Sequence, residues 1–270
     1  MPGDLSGVTA WEGLVPPVGI GPARPGTITL GDIVAGRGYE WIMSSMSGLD
    51  LSRRSLQLTP LHLANWAVIE LLARPLFQDG VWVQVQVHQL GLVVDSVGEV
   101  QELWLARDAR VDDPPGPEAV GAWIGGLLRP VAASTTAGSR IHERAVATIA
   151  AESAIAGMFR AARSSGRNDD LDWLQQASTA ISSALGAGVR GRYLHCRPDD
   201  GAVVVVPARS LCCVLNSTPS PHACPGCPVV VRASSQVGAV TDWLAAMADA
   251  EFRDSTGRPR VTRAAHASGP

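Results

Sequence analysis

An α+β fold is what this 270-residue chain predicts, and three observations carry that class. The first half holds short runs with a period of two residues, the pattern of a half-buried strand. Most of the second half holds longer runs bounded by helix start and stop signals. Between them, Asp112-Asp-Pro-Pro-Gly-Pro117 is the sharpest break in the chain, because its prolines and glycine favour neither helix nor strand. The expected organisation is a flexible arm over 1–26, an α+β N-terminal portion over 27–113, a helix-rich C-terminal portion over 117–252 and a disordered tail over 253–270.

The elements are expected in the following order. Residues 1–26 are rich in Gly and Pro without periodicity and read as an extended arm. A weak strand covers 27–34. Thr59-Pro60 reads as an N-cap followed by proline at the first helical position, starting a buried helix over Leu61–Leu72. From 81 to 92, Val81, Val83, Val85 and Val87 alternate with Trp82, Gln84, Gln86 and His88, which predicts a strand. A turn at Asp95-Ser-Val-Gly98 and a partner strand over Val100–Ala106 complete a hairpin. Beyond the break, helices are expected over Pro117–Leu128, over Arg140–Ser164 with Ser139 as cap, and over Asp170–Leu185, stopped by Gly186 and Gly188. Strands over Arg190–Cys196 and Ala202–Pro207 flank an Asp-Gly hairpin signal. A last helix covers about 236–252, and the four-arginine tail from Arg253 has the composition of disorder.

Apolar residues make up 46% of the chain, enough for a substantial core. The net charge of −3 gives no reason to expect a nucleic-acid partner. All 22 basic residues are arginine, so any basic site uses the planar, permanently charged guanidinium. No run approaches the roughly 18 consecutive apolar residues of a membrane span, so no integral membrane segment is expected, while peripheral contact with a membrane stays open. The N-terminus lacks the basic start and apolar run of a signal peptide. The expected location is therefore cytoplasmic, where thiols stay reduced.

That expectation gives weight to four cysteines within 16 residues: Cys212, Cys213, Cys224 and Cys227, spaced C-C-x10-C-x2-C. Cys224-Pro-Gly-Cys227 is a tight turn in which Gly226 permits the bend, while Pro225 and Pro228 lower the entropy lost on ligation. Alone, C-x-x-C also serves zinc ribbons and thioredoxin-type redox sites. The vicinal pair is more selective. Adjacent residues in extended backbone send side chains to opposite faces, which is awkward around a single tetrahedral ion. A two-iron cluster is wider, and four thiolates are the ligand count of a [2Fe–2S] centre. A structural zinc site remains the alternative that the same thiols allow.

Arg209-x-x-Cys212-Cys213, ten residues, then Cys224-x-x-Cys227-Pro228 resembles the FhuF-type ferric-siderophore reductases. The match covers about Arg209–Pro228. The resemblance implies that these four cysteines bind a [2Fe–2S] cluster as cofactor and that the substrate is a ferric siderophore reduced by one electron in the cytoplasm. The competing expectation is an iron–sulfur or zinc sensor that regulates a partner without reductase activity.

Cations near an anionic cluster favour its reduced state. Arg209 and Arg232 flank the cysteine segment and are candidate substrate-binding residues, and Arg190, Arg192 and Arg197 lie on the preceding hairpin. His222 is expected beside the ligands or in solvent, Cys196 on a half-buried strand, His62 and His88 as packing residues and His142 on a helix surface. Trp66, Trp123, Trp173 and Trp243 are expected in the core. Gly19-Ile-Gly21 lacks the strand-turn-helix setting of a dinucleotide site, and no Walker, G-x-S-x-G or H-E-x-x-H motif occurs. Electrons are therefore expected from a separate donor protein or reductant.

Overall fold

The computed structural model describes residues 17–38, 41–42, 53–95, 100–167, 170–189, 193–196, 204–207 and 209–211. The α+β class holds over them. The N-terminal part contains strands β1 (Val18–Ile20) and β2 (Thr27–Thr29), helices α1 (Leu30–Val34) and α2 (Arg53–Val68), a π-helical turn over Ile69–Ala73, helix α3 (Arg74–Asp79), and strands β3 (Trp82–Gln84), β4 (Leu90–Val94), β5 (Val100–Leu105) and β6 (Arg110–Asp112). Then come helices α4 (Pro117–Ala137), α5 (Glu143–Ser164) and α6 (Leu171–Ala184), followed by strands β7 (Tyr193–Cys196) and β8 (Val204–Pro207). The expected helix over 236–252 and the tail from 253 lie outside the described residues.

A four-stranded sheet has the order β1-β5-β4-β2. Its centre is the expected hairpin, in which Leu90 pairs with Leu105 and Leu92 with Leu103. The first strand of that hairpin is β4, however, not a strand running from 81 to 92. The alternation breaks because Gln86 and Gln89 close a turn: the Gln89 N–H donates to the Gln86 carbonyl at 2.9 Å, and the Gln86 N–H donates to Gln89 Oε1 at 2.9 Å. His88 is exposed there instead of packing. β3 turns away and pairs with β6. Within the expected arm, Val18–Ile20 pairs in parallel with Leu103–Leu105, so this part is a sheet edge.

The strand expected over 27–34 ends at Thr29, where a capping box starts α1. The Asp32 N–H donates to Thr29 Oγ1 at 3.0 Å, and the Thr29 N–H donates to Asp32 Oδ2 at 3.1 Å. Burial works to raise the Asp32 carboxyl, but hydrogen bonds from Thr29 and the nearby Arg37 guanidinium outweigh it and hold the group below its ordinary value of 3.8.

Two prolines sit inside helices. Pro60 lies within α2, which starts no later than Arg53, so Thr59 is not its cap. Proline there removes the donor to the Leu56 carbonyl, yet Leu58, Leu61, Ala64 and Val68 are fully buried and keep the helix in place. Pro130 lies within α4, which continues past Leu128 to Ala137. The carbonyl that loses its donor there belongs to Gly126, an exposed residue where water can substitute. Helix α5 starts later than expected: His142, not Ser139, is the cap, with Nδ1 accepting from the Arg144 N–H at 3.2 Å. Helix α6 stops as expected, with Gly186 at φ +65°.

One hydrophobic cluster runs from Ile28 to Val205 and draws on both sides of the 113–116 break. Trp82 is fully buried, whereas Trp66, Trp123 and Trp173 pack against the cluster partly exposed. Helices α4 and α6 approach closely at Gly121 and Gly125. A methyl group added at Gly121 would meet the Ala177 carbonyl oxygen at 2.2 Å. Helix α5 has buried residues around most of its circumference. It is long and apolar enough, by length and composition, to cross a membrane, and 61% of its most apolar window is buried by its neighbours in the fold.

Two outcomes follow for stability. Gly121→Ala should cost about 1–3 kcal/mol in urea unfolding, because backbone cannot yield as a side-chain tip can. Thr29→Ala should cost about 0.5–2 kcal/mol through loss of the cap. Because the folded Asp32 carboxyl is depressed, its stabilisation is complete above its ordinary value of 3.8 and disappears as pH falls through the lower, folded value. Asp32→Asn should remove that part of the acid dependence in an unfolding series below pH ~4.

Candidate metal centre

Cys212, Cys213, Cys224 and Cys227 lie outside the described residues, as do Arg190, Arg192, Arg197, Arg232 and His222. Among the described residues, no three His, Cys, Asp or Glu side chains converge on one point. What is described is how the chain approaches the cysteines: β7, β8 and then Arg209, Ser210 and Leu211, the residues immediately before Cys212.

β7 and β8 form an antiparallel pair in which Tyr193 faces Pro207 and Cys196 faces Val204. Helix α5 holds this pair through one stripe of its surface. Glu152, Phe159 and Arg163 are spaced by seven and then four residues, which places them within about 40° of one another around the helix. The Phe159 ring stacks on Tyr193 at 5.4 Å between centroids and 29° between planes. Burial pushes the Tyr193 hydroxyl above its ordinary value of 10.0, and a hydrogen bond with Ser178 offsets part of that rise. Arg163, 6% exposed, points its Nη1 at the Val205 carbonyl across 3.5 Å.

Glu152 ends the stripe and meets the chain beyond β8. Its side chain is 4% exposed. Oε1 accepts from the Ser210 N–H at 2.6 Å and from the Ser210 hydroxyl at 2.5 Å, while Oε2 accepts from the Leu211 N–H at 3.3 Å. A buried carboxylate without such donors would be costly. Leu211 adds an apolar contact with the core cluster. The spacing of the two contacts is matched. From Arg163 back to Glu152 the helix rises about 16 Å, and from Val205 to Ser210 an extended chain spans about 16 Å. The chain leading to the cysteines thus runs antiparallel to α5, held at both points.

A second buried charge lies on another side of α5. Glu70, 2% exposed in the π turn, meets Arg160 Nη2 at 3.2 Å. It also forms a 2.6 Å ion pair with Arg74 Nε, whose alignment is not that of a hydrogen bond. Sequence reading missed Glu152, Arg163 and Glu70. The available signal was that Glu152 is the sole charged residue from 145 to 159.

Arg209, three residues before Cys212, is half-buried rather than fully solvated. Its Nε–H is buried and has no hydrogen-bond acceptor among the described residues. An unsatisfied guanidinium donor at this place suits an anionic group that the four thiols would supply. The donor set, four cysteine sulfurs within 16 residues, fits an iron–sulfur centre in type and number.

The fold and this approach segment define an α+β protein with a helix-anchored lead into a four-cysteine segment. No protein-family model matches the chain, and no curated protein matches it.

Proposed function

We propose that this chain is a ferric-siderophore reductase whose C-terminal portion ends in a [2Fe–2S] loop held by Cys212, Cys213, Cys224 and Cys227. The observation that carries the reading is the C-C-x10-C-x2-C set of thiols, which resembles the FhuF-type pattern. When bound, such a centre supplies electrons one at a time, the stoichiometry of Fe(III) reduction to Fe(II). The ferric siderophore is the substrate. Its hard oxygen donors hold Fe(III) far more tightly than the softer, less charged Fe(II), so a gain of one electron releases the iron without cleavage of the siderophore. That electron comes from a separate donor.

The chain's own residues bind and orient. The four cysteines present thiolates, with Pro225 and Pro228 stiffening the second pair. Arg209 offers a buried donor with no partner among the described residues and a permanent positive charge three residues before the first thiol. Both its charge and its position suit it to the face where an anionic siderophore docks, with Arg232 as the second candidate cation.

The full chain, purified without oxygen, should contain two irons and two sulfides, be EPR-silent when oxidised and show a one-electron signal after dithionite. It should accelerate ferrozine-trapped release of Fe(II) from ferrisiderophores, and Cys212→Ser or Cys224→Ser should abolish both cluster and release. Zinc in place of iron, or a cluster without accelerated release, would replace this reading with a regulatory metal protein. Arg209→Gln should weaken affinity for anionic ferrisiderophores and lower the cluster potential. If neither changes, Arg209 has no part in the site.

A further inference from the structure

We propose that Glu152 is a positioning residue for the cysteine segment: a buried carboxylate on α5 that sets the direction in which the chain enters Cys212-Cys213 and tunes the centre they form. The inference rests on reading 212–227 as the cluster-binding segment. Three features of the structure single out this residue. It is the sole charged residue between 145 and 159, on a helix buried around most of its circumference. It is 4% exposed, and both of its oxygens are engaged. Its donors come from two consecutive residues, Ser210 and Leu211, of which Leu211 immediately precedes Cys212.

Two successive backbone N–H groups bound to one carboxylate orient the peptide planes on either side of Ser210. With Arg163 at the Val205 carbonyl, the chain is held along α5 at two points of matched spacing. The chain is therefore fixed in position and direction up to Leu211, the residue before the proposed first ligand pair. Vicinal ligands need this more than spaced ones do, because no intervening residue is left to correct an error in approach. Groups that orient ligands from behind typically alter metal retention by about 10–100-fold when removed. The carboxylate also brings a negative charge to the two residues that precede the proposed ligands. It disfavours the more negative, reduced state and lowers the potential.

The test uses full-length protein carrying Glu152→Gln, Glu152→Ala and Ser210→Ala. Glu70→Gln serves as control, since Glu70 in the π turn is as buried as Glu152, meets α5 on another side, and has Arg74 and Arg160 as its partners. Glu152→Gln should lose iron to bathophenanthroline disulfonate about 10–100-fold faster than the parent and shift the potential to more positive values. Ser210→Ala, which removes only the hydroxyl donor, should show a smaller acceleration and no such shift. Metal-free Glu152 variants should alkylate faster at Cys212 and Cys213, resolved by peptide mass spectrometry. Unchanged iron loss, potential and alkylation in Glu152→Gln would overturn the proposal, and so would an equal effect of Glu70→Gln. If the parent protein takes up no iron or sulfide, the reductase reading fails, yet the alkylation rates of the metal-free chains still decide the role of Glu152.

Discussion

Burial of α5 on several sides at once is the constraint to which the rest of the fold answers. Val146, Ile149, Ala150, Ala154, Met158 and Phe159 are all removed from water, and they do not share one face, so the helix has to be enclosed. The sites where neighbours approach are set by residue size. Gly157 admits Ile69 of the π turn, which would lie 2.8 Å from a methyl group placed there. In so apolar a setting each charge needs a defined partner. Arg160 meets Glu70, Arg163 meets the β8 backbone, and Glu152 meets Ser210 and Leu211. The enclosing elements and the lead into the cysteines are thus tied to one rod.

Much of this was legible where the signal is local. Pro117 opens α4, Gly186 ends α6, and β5 and the β7–β8 pair fall where alternation and turn residues put them. Errors arose where a distant partner overrode a local cue. Three residues at 18–20 form a strand only because β5 offers an open edge, which nothing within those residues announces. Pro60 and Pro130 look like boundaries, but the apolar faces around them gain more from burial than each helix loses with one hydrogen bond. The valines at 81–87 promise one long strand, and a glutamine-closed turn, built from residues seldom used in turns, interrupts it.

The candidate centre divides the same way. Its candidate ligands are legible because four of the five cysteines fall within 16 residues. Its support is not, because a carboxylate in a helix does not reveal which backbone it will meet. The charge at Glu152 is visible in the sequence as an oddity within an Ala-rich run, and only packing of α5 against the segment after β8 shows which backbone it meets.

The Ser210–Glu152 contact spans 58 residues, and that separation orders events in time. A ribosome releases the chain from its N-terminus, so α5 and the helices that enclose it emerge before Ser210 does, and the receiving carboxylate can already be in place when the thiols appear. The cysteines thus follow, in order of synthesis, every residue that holds the chain leading to them. On the function proposed above, assembly would divide into a folding stage that precedes the thiols and a later loading stage, which a cell could delay, or leave undone, when iron is scarce.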